Sequence, residues 1–247
     1  MDTRVQTEPE LAADIGHRRR RAARSPVNPS VEVPNSDLPN DRLQLPGLAT
    51  RSAEILIAVF VLGVTLPLLI AIAILVKLNS PGPALFFQTR LGIGARPFTF
   101  VKFRTMYHDA RQRFPEMYTY SYSREELDEL KIKVTDDPRV TRCGRWLRAS
   151  TLDEIPNFWN VLIGDMALVG PRPEIPDLLK YYVGDAREKF LVRPGITGLA
   201  QVSGRGRLYF NESKQLDIQY VRTRSFLRDI KIILKTIKMV VLRDGAF

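Results

Sequence analysis

Two adjacent carboxylates, Asp153 and Glu154, lie between a row of arginines (Arg139, Arg142, Arg145, Arg148) and the stretch Val169-Gly170-Pro171-Arg172-Pro173. Carboxylates in a basic field suit chemistry on an anion. The cations hold the negative charge of the substrate, and an ionised carboxylate is a nucleophile toward phosphorus. Attack on a diphosphate meets charge repulsion, which a divalent cation shared between carboxylate and phosphate oxygens reduces, so Mg²⁺ is the expected cofactor. Thr151-Leu-Asp153-Glu154 also matches a capping box, the ordinary signature of a helix N-terminus. The two readings are compatible, because a helix N-terminus and neighbouring arginines would keep Asp153 ionised.

Elements that present cations must surround such a pair. Pro171 and Pro173 fix the backbone on both sides of Arg172, and Arg193-Pro194-Gly195, Gly198 and Ser203-Gly204-Arg205-Gly206 form tight loops carrying further arginines. Planar guanidinium forks on stiff loops fit phosphate oxygens, although each loop alone also reads as a simple turn.

Composition removes other chemistries. A single cysteine, Cys143, excludes a disulfide framework and a Cys-cluster zinc site, and His17 and His108 are the only histidines. The 247 residues carry a formal charge of +10. Residues 1–50 hold seven arginines and seven acids, so the excess lies entirely after them. A basic body seeks an anionic partner: nucleic acid, anionic lipid or a phosphorylated substrate.

The first 48 residues read as a disordered arm, interrupted by Pro9, Pro26, Pro29, Pro34, Pro39 and Pro46, with a basic run Arg18–Arg21 that either touches lipid headgroups or is solvated. Ile55 to Val76 is a run without charge whose helical length of ~33 Å would cross a bilayer. Pro67 in its middle predicts a kink, and basic flanks at Arg51, Lys77 and Arg90 give no orientation. Spanning and re-entrant arrangements both satisfy these observations. From Phe226 to Leu242, Lys231, Lys235 and Lys238 share one face of an otherwise apolar helix, the pattern of an interfacial helix lying among headgroups. A core helix with a solvated lysine edge is the alternative.

Between these ends, Phe98–Phe103 alternates as one short strand, while Glu125–Lys133, Trp146–Arg148, Glu154–Ile163 and Ile175–Tyr182 read as helices. The class is mainly α with a short β element. No Gly-x-Gly-x-x-Gly follows a strand and no Walker A sequence occurs.

Lys77-Leu-Asn-Ser-Pro-Gly-Pro83, Gln88-Thr-Arg-Leu-Gly92, Lys102-Phe-Arg-Thr-Met106, Asp137-Pro-Arg-Val-Thr-Arg142, Leu152-Asp-Glu-Ile-Pro156, Asn160-Val-Leu-Ile-Gly-Asp-Met166, Val169–Pro173, Arg193-Pro-Gly-Ile-Thr-Gly198 and Leu216-Asp-Ile-Gln-Tyr-Val221 together resemble the bacterial sugar transferases. These are monotopic phosphoglycosyl transferases, and the resemblance runs in order from about Arg51 to Leu242. It implies transfer of a sugar 1-phosphate from a UDP-sugar to undecaprenyl phosphate, with UMP released, as the first membrane step of exopolysaccharide, capsule or O-antigen synthesis. Asp153 would be the covalent nucleophile and Glu154 its partner at the Mg²⁺ site. Lys102, Arg104, Arg148, Arg172, Arg193 and Arg205 become candidates for substrate phosphates or uridine, and Asp217 for a supporting role.

The resemblance also implies a membrane-associated monotopic fold with a re-entrant helix at residues 49–79 kinked near Pro67. A catalytic domain over 80–224 would lie on the cytoplasmic face of the inner membrane, followed by an amphipathic interfacial helix in 225–247. The expected partners are the UDP-sugar, undecaprenyl phosphate and membrane lipids, without nucleic acid; the identity of the sugar and the oligomeric state stay open. The expected form is the small, single-domain one. Leu66 stands where the family often has Ser before the proline, Glu54 where an Asp is common, and Asn157 where a Gln is common. A membrane-tethered nucleic-acid binder would explain the charge, and a non-catalytic export scaffold the membrane helices, but neither requires the acidic pair.

Overall fold

The computed structural model describes residues 40–131, 136–204 and 207–242. The Arg18–Arg21 run, most of the expected arm, and Arg205 lie outside them. The first long element is helix α1 (Leu48–Asn79), followed by the antiparallel strands β1 (Leu85–Leu91) and β2 (Pro97–Phe103). Short helices α2 (Ala110–Arg113), α3 (Arg124–Glu129), α4 (Arg142–Ser150) and α5 (Phe158–Ile163) come next. Strand β3 (Ala167–Val169) pairs in parallel with β4 (Gly195–Thr197), and helices α6 (Leu199–Gly204), α7 (Phe210–Thr223) and α8 (Phe226–Val241) end the described chain. The fold is mainly α, as the sequence predicts.

Helix α1 is the one described helix long and apolar enough to cross a membrane. It continues through Pro67, so the proline removes the amide donor owed to the Gly63 carbonyl without ending the helix. The Thr65 hydroxyl donates to the Val61 carbonyl at 2.7 Å in the same stretch. The two ends of α1 are buried and the turns between them are not: Glu54 and Ala58 are buried near the start, Ile72 and Val76 near the finish. Ala58 packs with Phe98, Phe100, Val161 and Met166, while Ile72 and Val76 pack with Phe103 and Leu147. Strand β2 therefore contributes to both contacts, and both ends of the helix rest on one body. Leu56, Phe60, Val64, Leu66, Ile70 and Ile74 stay exposed.

Polar latches fix each end. Arg51 donates to the Val161 and Leu162 carbonyls at the end of α5, at 2.7 and 2.9 Å, and Glu54 accepts from Arg193 at 2.6 Å. At the far end the Arg104 guanidinium donates to the carbonyls of Ser80, Pro81 and Pro83, at 2.6 to 2.8 Å, and to the Ser80 hydroxyl. Arg104 thus neutralises the carbonyl-rich exit of α1.

Several local expectations are corrected. The capping box at Thr151 does not form: Thr151 sits at φ 61°, ψ 9°, with no side-chain cap, joining α4 to a 3₁₀ stretch over Leu152–Asn157. A capping Thr needs extended backbone, and here the end of α4 has already turned the chain left-handed. The predicted helix Glu154–Ile163 divides into that 3₁₀ stretch and α5, because Pro156 interrupts the amide series. Ile175–Tyr182 is a 3₁₀ stretch over Pro176–Tyr181. The lone predicted strand has an antiparallel partner, β1, which sequence alternation did not reveal. Lys133, at the end of the predicted Glu125–Lys133 helix, is outside the described residues.

Candidate active site at the acidic pair

Asp153 and Glu154 occupy the first turn of the 3₁₀ stretch Leu152–Asn157, which packs against β2. The left-handed Thr151 aims this turn, and a β-branched residue at positive φ costs on the order of 1–2 kcal/mol, a strain the surrounding contacts must hold. Asp153 is only 5% exposed. Lys102 on β2 places Nζ 4.0 Å from Asp153 Oδ2, an ionic contact beyond hydrogen-bond reach. Arg172, between its two prolines, donates to Glu154 Oε1 at 3.0 Å. Arg148, from the last turn of α4, donates through Nε to Thr105 Oγ1 at 3.0 Å and lies 3.9 Å from Asp137 Oδ2. Asp137 in turn takes a bidentate pair from Arg139 at 2.8 Å.

Asp153 is ionised near neutral pH, but burial narrows the margin. Burial and then the Glu154 charge push the Asp153 carboxyl up to about 6, against the pull of Lys102, Arg148 and Arg172. Lys102 moves the other way: burial lowers its ammonium to about 8 despite Asp153 and Glu154. Near neutral pH the two groups stand as anion and cation with little margin on either side.

The structure brings Asp153, Glu154, Lys102, Arg148 and Arg172 together. Arg104 and Arg193, expected at substrate phosphates, are engaged elsewhere: Arg104 at the exit of α1, Arg193 with Glu54 and the Met166 carbonyl. Both are buried, and their donors hold the membrane helix to the body. Asp217 is buried in a second ionic cluster, 3.1 Å from Lys189 Nζ, which also lies 3.1 Å from Glu174 Oε2 and from the Tyr182 hydroxyl. Glu174 follows Pro173 directly, so this cluster stands behind the loop that presents Arg172.

Sequence reasoning missed Arg90, Glu174 and Lys189. Arg90 lies opposite Phe98 across the β1–β2 ladder, donates to the Pro173 carbonyl at 3.1 Å and packs over the Phe100 ring. The ladder gives the missing signal, since Arg90 falls on the sheet face that carries Lys102.

For a divalent cation the donor set is two adjacent carboxylates, and no group of three or more His, Cys, Asp or Glu forms a metal site among the described residues. Mg²⁺ is commonly held by one or two carboxylates with substrate phosphates and water completing its shell, so the pair fits a metal that arrives with a diphosphate.

A family model described as bacterial sugar transferase matches residues 46–243, which include every one of these side chains. The chain belongs to that family. Within it, a Caulobacter vibrioides protein named UDP-glucose:undecaprenyl-phosphate glucose-1-phosphate transferase is 38% identical over 233 residues, covering 90% of this chain and 80% of its own length. The galactosyl transferase CpsE of Streptococcus agalactiae serotype III is 40% identical over 188 residues. The undecaprenyl-phosphate galactose phosphotransferase of Salmonella typhimurium is 36% identical over 197 residues. The chain spans 41% of the length of each of the last two. For this bacterial sugar transferase, the matched region contains the whole of α1 as well as the acidic pair.

Proposed function

We propose that this sugar transferase moves a sugar 1-phosphate from a UDP-sugar to undecaprenyl phosphate through a covalent intermediate on Asp153. The observation that carries the reading is the buried Asp153 beside Glu154, faced by Arg172 and by Lys102 and Arg148, the last two on elements that also seat the membrane helix. In the first half-reaction an Asp153 carboxylate oxygen attacks the β-phosphorus. The bond from that phosphorus to the bridging oxygen breaks, and UMP leaves with the electron pair. In the second, a phosphate oxygen of the lipid attacks the phosphosugar phosphorus, the bond to Asp153 breaks, and the carboxylate is regenerated. Neither step needs a histidine base, since nucleophile and leaving group are both anions near neutral pH. Lys102, Arg148 and Arg172 hold the phosphate charge that the aspartate must approach. Arg172 also fixes Glu154, so that each acid is oriented by a different cation.

Bound by Asp153, Glu154 and the diphosphate, Mg²⁺ would screen the repulsion between carboxylate and phosphate. The contact of both ends of α1 with one body supports a re-entrant helix, because a spanning helix would carry one of its ends away to the opposite face. The catalytic body then lies on the cytoplasmic face of the inner membrane, where UDP-sugars are available, and the exposed lysines of α8 meet headgroups. This would be the first membrane step of a bacterial polysaccharide pathway.

The test is Mg²⁺-dependent UMP release from UDP-glucose and UDP-galactose by the purified full-length protein. Asp153→Asn keeps the shape and removes the nucleophile, so release should fall by at least about 10³-fold. Release at a near wild-type rate would overturn the covalent mechanism.

A further inference from the structure

Strand β1 begins shortly after α1 ends, and its alternation gives it two different faces. Ala84 and Leu85 pack with Ile72, Val76 and Phe103 near the exit of the membrane helix. Phe86 points to the other face, directly opposite Lys102 in the ladder, with the Lys102 ammonium 6.0 Å from its ring centre. That ammonium is the group 4.0 Å from Asp153. Phe86 is 36% exposed, although an aromatic ring on a paired strand usually gains by burial. Arg104, two residues beyond Lys102 along the chain, ties this strand to the exit of α1. An exposed aromatic ring, an ammonium and the buried carboxylate therefore follow one another from the end of the membrane helix to the acidic pair.

Resting on the function proposed above, we infer that Phe86 is a binding residue for the lipid acceptor, contacting the first isoprene units next to its phosphate while Lys102 holds the phosphate itself. An anion joined directly to a branched apolar chain is the ligand that matches an ammonium joined to an exposed ring. The strand's place beside the membrane helix suits a chain that stays in the bilayer while its phosphate reaches Asp153. The nucleotide sugar, a soluble polar molecule, makes no use of a ring at that position.

The experiment separates the two half-reactions in full-length protein reconstituted in lipid nanodiscs. With UDP-glucose and Mg²⁺ but no acceptor, Phe86→Ala should release its single equivalent of UMP at the wild-type rate. With undecaprenyl phosphate added, the acceptor KM should rise about tenfold, and Phe86→Leu should fall between the two. The preference for geranyl phosphate over decyl phosphate, which has the same phosphate on an unbranched chain, should shrink in Phe86→Ala. An unchanged acceptor KM, or a KM for UDP-glucose that rises instead, would overturn the assignment. Wild-type protein that releases no UMP from any UDP-sugar would refute the underlying reading rather than the role of Phe86.

Discussion

Lys102 and Lys189 are both buried beside two acids, yet they respond in opposite directions. Lys189 sits 3.1 Å from each of Glu174, Asp217 and Tyr182; burial pulls its ammonium down, but these partners outweigh it and hold the group well above its ordinary value. Glu174 is correspondingly held below the usual carboxylate range, its burial outweighed by Lys189, the Tyr182 hydroxyl and Arg90. Lys102 lies 4.0 Å from Asp153, and burial drops its ammonium to about 8. Lys189 is matched by three close partners, whereas Lys102 and Asp153 are desolvated and stand apart at 4.0 Å. Paired buried ions fix a loop, whereas incompletely paired ones have attraction left for a ligand.

Exchanging each lysine for an apolar residue breaks the comparison most sharply. Lys189→Met strips the shared cation from Glu174 and Asp217 and should cost about 3–5 kcal/mol, seen as a large fall in the midpoint of chemical unfolding. Lys102→Met should leave that midpoint within about 1 kcal/mol while turnover falls about 10²-fold or more. Equal losses of stability would remove the distinction between the two clusters.

The pH dependence of kcat/KM sharpens it. Productive encounter needs Asp153 without its proton and Lys102 with its own, so the profile should rise near pH 6 and fall near pH 8. These limbs belong to the coupled cluster, and Lys102→Arg should push the alkaline limb upward without moving the acid one. A smaller effect concerns stability. In the fold Asp153 keeps its proton to about pH 6, against an ordinary value of 3.8. Between those values the folded state binds more protons than the unfolded one, so this group's contribution falls as pH rises through the window. Above it the charged form is a standing penalty. Asp153→Asn should therefore melt a few degrees higher than wild type at pH 7.5, and the gap should close as pH approaches 4.

The acidic pair, Arg172 and Lys102 were legible in the sequence because each lies in a short stretch whose residue types state the chemistry. Arg104 and Arg193 carry the same residue type in similar stretches and were read the same way. What separates them is the set of backbone carbonyls and the Glu54 carboxylate that they meet, which no local pattern records. Lys189 looks like a solvated residue of the charged stretch Gly184–Leu191, and its burial arises from Glu174, Tyr182 and Asp217 on other elements. Strand β1 escaped notice because Phe86 and Phe87 are consecutive apolar residues while Gln88 and Arg90 share the face of Phe86. The helical class was plain from the scarcity of alternating runs, and the long apolar helix from the length of its uncharged run. The left-handed Thr151 was not, since Thr-x-x-Glu reads as a cap until the preceding helix is known to end there.

The most direct test of the account is the mass of the enzyme itself. Full-length protein incubated with UDP-glucose and Mg²⁺ in the absence of lipid acceptor, then acid-quenched and digested, should carry a phosphohexose on the peptide containing Asp153. The modification should be absent from Asp153→Asn and discharged from wild type by undecaprenyl phosphate. Steady turnover in which no adduct ever forms, or an adduct that maps to another residue, would contradict the assignment of Asp153 as the nucleophile.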